Sequence, residues 1–137
     1  LMATLEEGLR SYLASNSGLT AIINGRVYLM MIPQSMTVPC LTYQRISTAR
    51  TLSHDTVGAS TLAHPRFQFD AWASTYAVSK SITDALRTAL NGKTGSIGTS
   101  PNAITIRAAL VDDESAEYDP ETQLYRSRSD YFIWQEE

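Results

Sequence analysis

Residues 66–90 read RFQFDAWASTYAVSKSITDALRTAL, and this stretch decides the fold class. Its first seven residues alternate between apolar and polar side chains, which is typical of a half-buried strand. Phe67, Phe69 and Ala71 share one side of that strand. The other side carries Arg66, Gln68, Asp70 and Trp72.

An amphipathic helix follows this strand directly. Ser74 or Thr75 supplies an N-cap, and apolar residues then recur at helical spacing over residues 76–90. Asn91-Gly92 gives the C-terminal stop. A strand that leads into such a helix predicts a helix packed on a sheet.

The remaining periodicity predicts the other elements of the fold. They are a first helix begun by a capping box at residues 4–7, a short helical turn at 19–23, and strands at 26–31, 40–47, 102–111 and 122–135. Residues 49–64 lack a period and are predicted to form a long irregular loop, and the loop after residue 91 is predicted to be flexible.

These elements predict one α+β domain over residues 1–137, with a mostly antiparallel sheet of about four to five strands. Two helices pack on one face of this sheet. Because two helices cannot cover both faces of the sheet, the other face must be exposed to solvent or covered by a partner.

Composition excludes several classes of protein. The chain has 137 residues, 43% of them apolar and 18% charged, which is unlike a disordered chain or a coiled coil. No apolar run approaches the roughly 20 residues of a membrane helix, and the first ten residues show no signal-peptide pattern. The net charge of −3 argues against a general nucleic-acid binder.

Acidity is concentrated in residues 112–121, which read DDESAEYDPE. This segment holds six of the 14 acids and no base, while the rest of the chain has eight acids and 11 bases. We expect a solvated loop between two strands. A cation site or an acidic patch that docks on a basic partner is the alternative; the patch is Asp112, Asp113, Glu114, Glu117 and Asp119.

The last predicted strand has two mixed faces. One face carries Leu124, Arg126, Arg128, Asp130, Phe132 and Trp134; the other carries Tyr125, Ser127, Ser129, Tyr131 and Ile133. Arginine and aromatic side chains on one face are typical of a protein–protein surface, because both are enriched there. A satisfied Arg–Asp pair on a solvated face explains the same pattern equally well.

The sequence contains no recognisable catalytic or metal-binding motif. His54 and His64 flank the long loop without metal-ligand spacing, and Cys40 is the single cysteine, in an apolar strand. Residues 92–98 (GKTGSIG) superficially suggest a phosphate-binding loop. They lack the P-loop order and follow a helix, so we reject that interpretation.

Several segments together resemble a known family. They are LEEGLRSYL (5–13), LTAII (19–23), GRVY (25–28), PQ (33–34), YQRIS (43–47), FQFDAW (67–72) and YDPET (118–122), followed by YR, DY and W up to residue 134. In this order they resemble the tail completion, or tail-to-head joining, proteins of long-tailed bacteriophages and prophages. The similarity covers nearly the whole chain.

The resemblance implies a structural protein with no enzymatic activity, no cofactor and no metal. Such proteins resemble tail terminators, which cap the tail tube as a ring, commonly a hexamer, and join it to the head connector. The implied partners are other copies of the chain, the tail tube protein and the head–tail connector protein. The implied location is the virion neck, and the host cytoplasm during assembly, with no membrane.

For such a ring, the expected subunit contacts lie on the long loop and the last strand. They are His54, Asp55, Val57, Arg126, Arg128, Asp130 and Trp134. DNA passes through the ring, and part of the acidic patch is expected to face this channel or the partner ring, because basic residues would hold phosphates too tightly.

Two other classes of function stay open at this stage. A small-ligand or enzymatic domain would need a pocket, which Tyr43, Arg45, Phe67 and Asp70 could line. A DNA-binding accessory protein is disfavoured by the acidic charge balance.

Overall fold

A computed structural model describes residues 5–29, 38–51, 62–97, 104–121 and 123–136, which form three helices and six strands. The helices are α1 (Leu5–Ala14), α2 (Ser17–Ile23) and α3 (Tyr76–Leu90). The strands are β1 (Val27–Leu29), β2 (Cys40–Thr51), β3 (Leu62–Ala73), β4 (Gly95–Ile97), β5 (Ile104–Asp119) and β6 (Leu124–Glu136).

All six strands join one sheet in the order β1-β2-β3-β6-β5-β4. β1 runs parallel to β2, and every other neighbouring pair is antiparallel. The predicted mostly antiparallel sheet is therefore confirmed. The predicted count of four to five strands is too low, because β4 lies in a segment that we expected to be a flexible loop.

Helix boundaries follow from capping side chains. Thr75 begins α3, since its Oγ1 accepts from the N–H of Val78 at 3.3 Å, and α3 has the predicted bounds. Asn16 begins α2 in the same way, and Asn24 ends α2 in the left-handed region with φ 51°. The predicted helical turn at 19–23 is thus a complete capped helix, so the prediction of two helices is wrong. Thr4, the first residue of the predicted capping box, lies outside the described residues.

The hydrophobic core lies between the helices and one face of the sheet. Phe67, Phe69 and Ala71 of β3 are at most 1% exposed, as their alternation predicted. From the helices, Leu9, Ile82 and other apolar residues fill the opposite side. Burial of a phenylalanine in such a core contributes about 3–5 kcal/mol when measured as a change to alanine.

β5 departs most from its predicted structure. It continues through residues 112–119, which we expected to be a solvated loop, and residues 113–119 pair with β6. An irregularity between Ile106 and Ala108 also shifts its register. Because one extra residue reverses the faces, Ile106 is buried while Leu110 is 51% exposed, although both were predicted to share one apolar face.

Both ends of the segment predicted as a long loop, residues 49–64, differ from that prediction. β2 extends to Thr51 and β3 begins at Leu62, so both ends of that segment belong to paired strands. An alternating pattern is weak there because the residues are small and polar, which leaves tertiary pairing to determine the strands.

Candidate interface on the open face of the sheet

The two faces of the sheet have different surroundings. Tyr131 and Ile133 of β6 point to the helices and are fully buried. We call the opposite side the open face, because no helix packs on it within the described ranges. β3 and β6 are antiparallel neighbours, and their register places side chains of both strands next to each other on this face. Its side chains there are Arg66, Gln68, Asp70, Trp72, Arg126, Arg128, Asp130, Phe132 and Trp134.

Asp130 lies at the centre of an ion-pair network on the open face. Its carboxylate accepts from Arg66 Nη2 at 2.8 Å, and from Arg128 Nε and Nη2 at 3.2 and 3.3 Å. Arg66 also pairs with Asp112 through Nη1 at 2.8 Å. The hydrogen bonds to Asp130 raise the pKa of both arginines. Asp130 is 1% exposed, and these arginines balance a charge that would otherwise be costly to bury.

Asp70 forms the second buried carboxylate of the open face. Gln68 Nε2 donates to its two oxygens at 3.2 and 3.0 Å. Arg126 Nε lies 3.9 Å from Asp70 Oδ1 and is buried without a hydrogen-bond partner among the described residues. Burial raises the pKa of Asp70, while the Gln68 hydrogen bond and the charges of Arg126 and Arg128 oppose that shift.

Arg126 connects this carboxylate to the edge of the sheet. Its guanidinium forms an ion pair with Glu117 and lies 5.6 Å from the centre of the Trp72 ring. The Trp72 indole N–H donates to Thr42 Oγ1 at 3.0 Å. Four strands are thus cross-linked by side chains on the open face.

Aromatic side chains form the other end of the open face. His64 stacks on Trp134 with ring centres 4.2 Å apart, and the Arg66 guanidinium lies 5.2 Å from the centre of the Phe132 ring. Leu110, opposite Phe132 in the register, is half exposed. The open face therefore combines an accessible apolar end with a polar network, which is the composition of many protein interfaces.

The structure brings together four of the seven predicted interface residues. Arg126, Arg128, Asp130 and Trp134 lie on the open face, and Arg128 pairs with Asp130 within the chain. His54, Asp55 and Val57 lie outside the described residues. The prediction missed the residues that β3 contributes, above all His64 and Arg66. The alternation in residues 66–72 was the available signal, since it placed Arg66 on the polar side of the strand.

The acidic patch is divided between the two faces of β5. Asp112 pairs with Arg66 and Glu117 with Arg126 on the open face, whereas Glu114 pairs with Arg87 of α3 at 2.9 Å. Asp113 Oδ1 accepts from the Glu114 N–H at 2.9 Å. Asp119 Oδ1 accepts from the Glu121 N–H at 3.0 Å. Three of the five acids are thus neutralised by arginines of the same chain.

The residues proposed to line a ligand pocket are divided between the two faces of the sheet. Tyr43 and Phe67 are core residues, and the Tyr43 hydroxyl donates to the carbonyl of Glu6 at 2.5 Å. Arg45 forms an ion pair with Glu6 on the same side of the sheet, while Asp70 lies on the open face. The ligand-pocket alternative thus loses its proposed residues.

Other chemistry-bearing groups are few in the described part of the chain. That part has no cluster of three or more potential metal ligands and no helix long and apolar enough to cross a membrane. Cys40 is buried, and its burial raises the pKa of the thiol to about 11, so the reactive thiolate is disfavoured.

Comparison with known proteins identifies the family. The family described as tail completion protein gp17 matches residues 7–136. A search of curated proteins gives no match. Among solved structures, a chain of "Virion of native gene transfer agent (GTA) particle" has a TM-score of 0.71 and 16% sequence identity. The match covers 98% of this chain and 96% of that chain, and it shows a shared fold. The chain therefore belongs to the tail completion protein gp17 family, a family of phage tail structural proteins.

Proposed function

We propose that this chain caps the tail tube as a ring and joins the tail to the head connector. Its partners are then other copies of itself, the tail tube protein and the head–tail connector protein, in the neck of a virion. Assembly takes place in the host cytoplasm. Family membership over residues 7–136 supports the tail role, and the ring is the form that we infer from it.

The observation that carries this proposal is the composition of the open face. Leu110 is half exposed there, and Trp134 and Phe132 are partly exposed, beside Arg66 and Arg128. Tryptophan and arginine are the residue types that contribute most often to binding energy at the centres of protein interfaces. A neighbouring subunit that covered this end would remove an apolar surface from water without exposing a new charge.

A closed ring needs two different contact surfaces on each subunit, because neighbours meet head to tail. The open face supplies one. The second surface that the sequence predicts, at His54, Asp55 and Val57, stays a prediction. We further propose that the domain works as a single unit over residues 1–137 and catalyses no reaction.

The experiment that tests this proposal combines Arg128→Ala with Trp134→Ala. In a host that carries the genes of the particle but lacks this one, the variant is supplied from a plasmid. Electron microscopy then counts tails joined to heads. We expect joined particles to fall at least about tenfold, because loss of two central interface residues costs more than 1.4 kcal/mol.

A matched control uses Arg10→Ala with Leu29→Ala, which removes an exposed base and an exposed apolar residue away from the open face. The control should join tails to heads normally, and circular dichroism should show both variants folded. Normal joining in the Arg128/Trp134 variant would refute the assignment. Nanomolar binding of the protein to duplex DNA would contradict a ring through which DNA passes freely.

A further inference from the structure

The C-terminal half of β5 has a neighbouring strand on one side only, among the residues that the structure describes. β4 pairs with β5 only at residues 104–106. Two further hydrogen bonds join β5 to the end of α3. Ala109 C=O accepts from the Gly92 N–H at 2.6 Å, and the Val111 N–H donates to Asn91 Oδ1 at 3.0 Å. Beyond this point, no described strand covers the outer side of β5.

The hydrogen bonds at the end of β5 show which backbone groups point outward. Asp119 C=O accepts from the Gln123 N–H at 2.8 Å inside the β5–β6 hairpin, so residue 119 faces β6. Backbone groups alternate along a strand, and residues 114, 116 and 118 therefore face the open edge. The Glu114 N–H already donates a hydrogen bond to the side chain of Asp113. The N–H and C=O of Ala116 and Tyr118 thus have no partner among the described residues.

The charge beside this edge opposes pairing with a second copy of itself. Two β5 edges that paired antiparallel around Ala116 would place Asp113 opposite Asp119, and like charges directly opposite each other destabilise a pair. Asp113 and Asp119, which unlike Glu117 pair with no arginine among the described residues, instead suit basic side chains on an incoming strand. Acidic residues at an edge also protect it from aggregation, which leaves it open for a specific partner.

A shallow groove lies next to the same edge on the helix face. It has a volume of about 210 Å³ and is lined by Tyr76, Lys80, Thr83, Glu114, Ser115, Ala116 and Ser127. Tyr118 extends this surface, and its ring packs against Tyr125 at 5.0 Å while half exposed. Side chains of an added strand that point toward the helices would enter this groove.

We infer that the edge of β5 at residues 114–118 binds an extended, basic segment of a different protein by adding it to the sheet as a strand. Backbone bonds to Ala116 and Tyr118 provide affinity, as in other cases of strand addition. Basic side chains of the incoming strand lie beside Asp113 or Asp119, and small side chains between them face the groove. This inference concerns the backbone edge of β5, which borders the open face, and does not rest on the proposed ring.

The test uses a fluorescein-labelled peptide of sequence KVKVK, blocked at both ends, and measures its anisotropy with the purified protein. We expect saturable binding that weakens with salt. The same peptide with N-methylated valines cannot donate to the edge, so we expect it to bind at least about tenfold more weakly. Equal binding of the two peptides would mean that charge alone explains the interaction, and this result would overturn the inference. No binding at a peptide concentration of about 1 mM would overturn it as well.

A matched pair of proline variants tests the edge itself. Ala116→Pro removes an N–H that points outward, so the protein should stay folded and lose the peptide. Ser115→Pro removes an N–H that faces β6 and should lower the unfolding temperature instead. The Trp134→Ala variant should bind the peptide normally, because Trp134 lies opposite Ala108 and away from residues 114–118, and this result separates the site from the ring interface. Unchanged binding by folded Ala116→Pro, or a dimer that Ala116→Pro abolishes, would contradict the assignment.

Discussion

Two buried tyrosines should respond to the same substitution with opposite signs. The Tyr131 hydroxyl is buried and has no hydrogen-bond partner in the described part of the chain, whereas the Tyr43 hydroxyl donates to the Glu6 carbonyl at 2.5 Å. Tyr131→Phe removes a polar atom that was desolvated without compensation. Tyr43→Phe removes one that is satisfied.

The structure sets the size of both effects. An unsatisfied buried hydroxyl costs about 1–3 kcal/mol, so Tyr131→Phe should raise the free energy of unfolding by about 1 kcal/mol. The ring of Tyr131 packs edge-on against Phe69 at 5.5 Å, and phenylalanine keeps this contact. Tyr43→Phe should lower the free energy of unfolding by about 1 kcal/mol, the usual net value of one hydrogen bond.

Urea unfolding followed by circular dichroism measures both changes, provided that the slope with urea stays constant. In thermal unfolding, we expect shifts of about 3 °C in opposite directions for a chain of this length. Tyr131 faces the helices, so its variant should still join tails to heads. A Tyr131→Phe variant less stable than the natural protein would refute the interpretation that its hydroxyl is unsatisfied.

Three other predictions follow from titratable groups. The pKa of Asp70 is raised in the folded protein, so the folded state binds this proton more tightly than the unfolded state does. The free energy of unfolding therefore falls as the pH rises above the ordinary pKa of an aspartate. Relative to Asp70→Asn, the natural protein should be less stable at pH 7 than at pH 3 in urea unfolding. Asp130→Ala should lower the free energy of unfolding by about 2 kcal/mol in the same assay, since it leaves paired arginines without their buried carboxylate. Burial also raises the pKa of Tyr43 and Tyr131, so these tyrosines ionise at lower pH in the unfolded chain than in the folded protein. The unfolding temperature should therefore fall as the pH rises above about 10. This fall should be less steep in Tyr131→Phe.

Local sequence was sufficient where one period dominates. Helix α3 and the alternation of Phe67 and Phe69 were predicted correctly, because each pattern repeats over several residues and its caps are explicit. Tertiary effects decided the rest. The irregularity at residue 107 reverses the faces of β5, and the residue types around it do not predict its position.

The acidic segment shows why charge alone misled the prediction. Asp112, Glu114 and Glu117 look like a solvated loop in sequence, yet Asp112 and Glu114 meet arginines from distant parts of the chain and Glu117 meets Arg126 across the β5–β6 hairpin. Those pairings depend on the order of strands in the sheet. The interface prediction had the same limit, since it named residues of β6 and missed their neighbours on β3.

The carboxylates beneath Arg66, Arg126 and Arg128 have a kinetic consequence. Since these charges are largely cancelled within one molecule, two such molecules feel little long-range attraction, and encounters in free solution would gain nothing from electrostatic steering. Association would then be slow in free solution and faster on a template that holds copies side by side. If the chain caps the tail as we propose, a finished tube is such a template, and newly made chains would assemble there faster than in free solution.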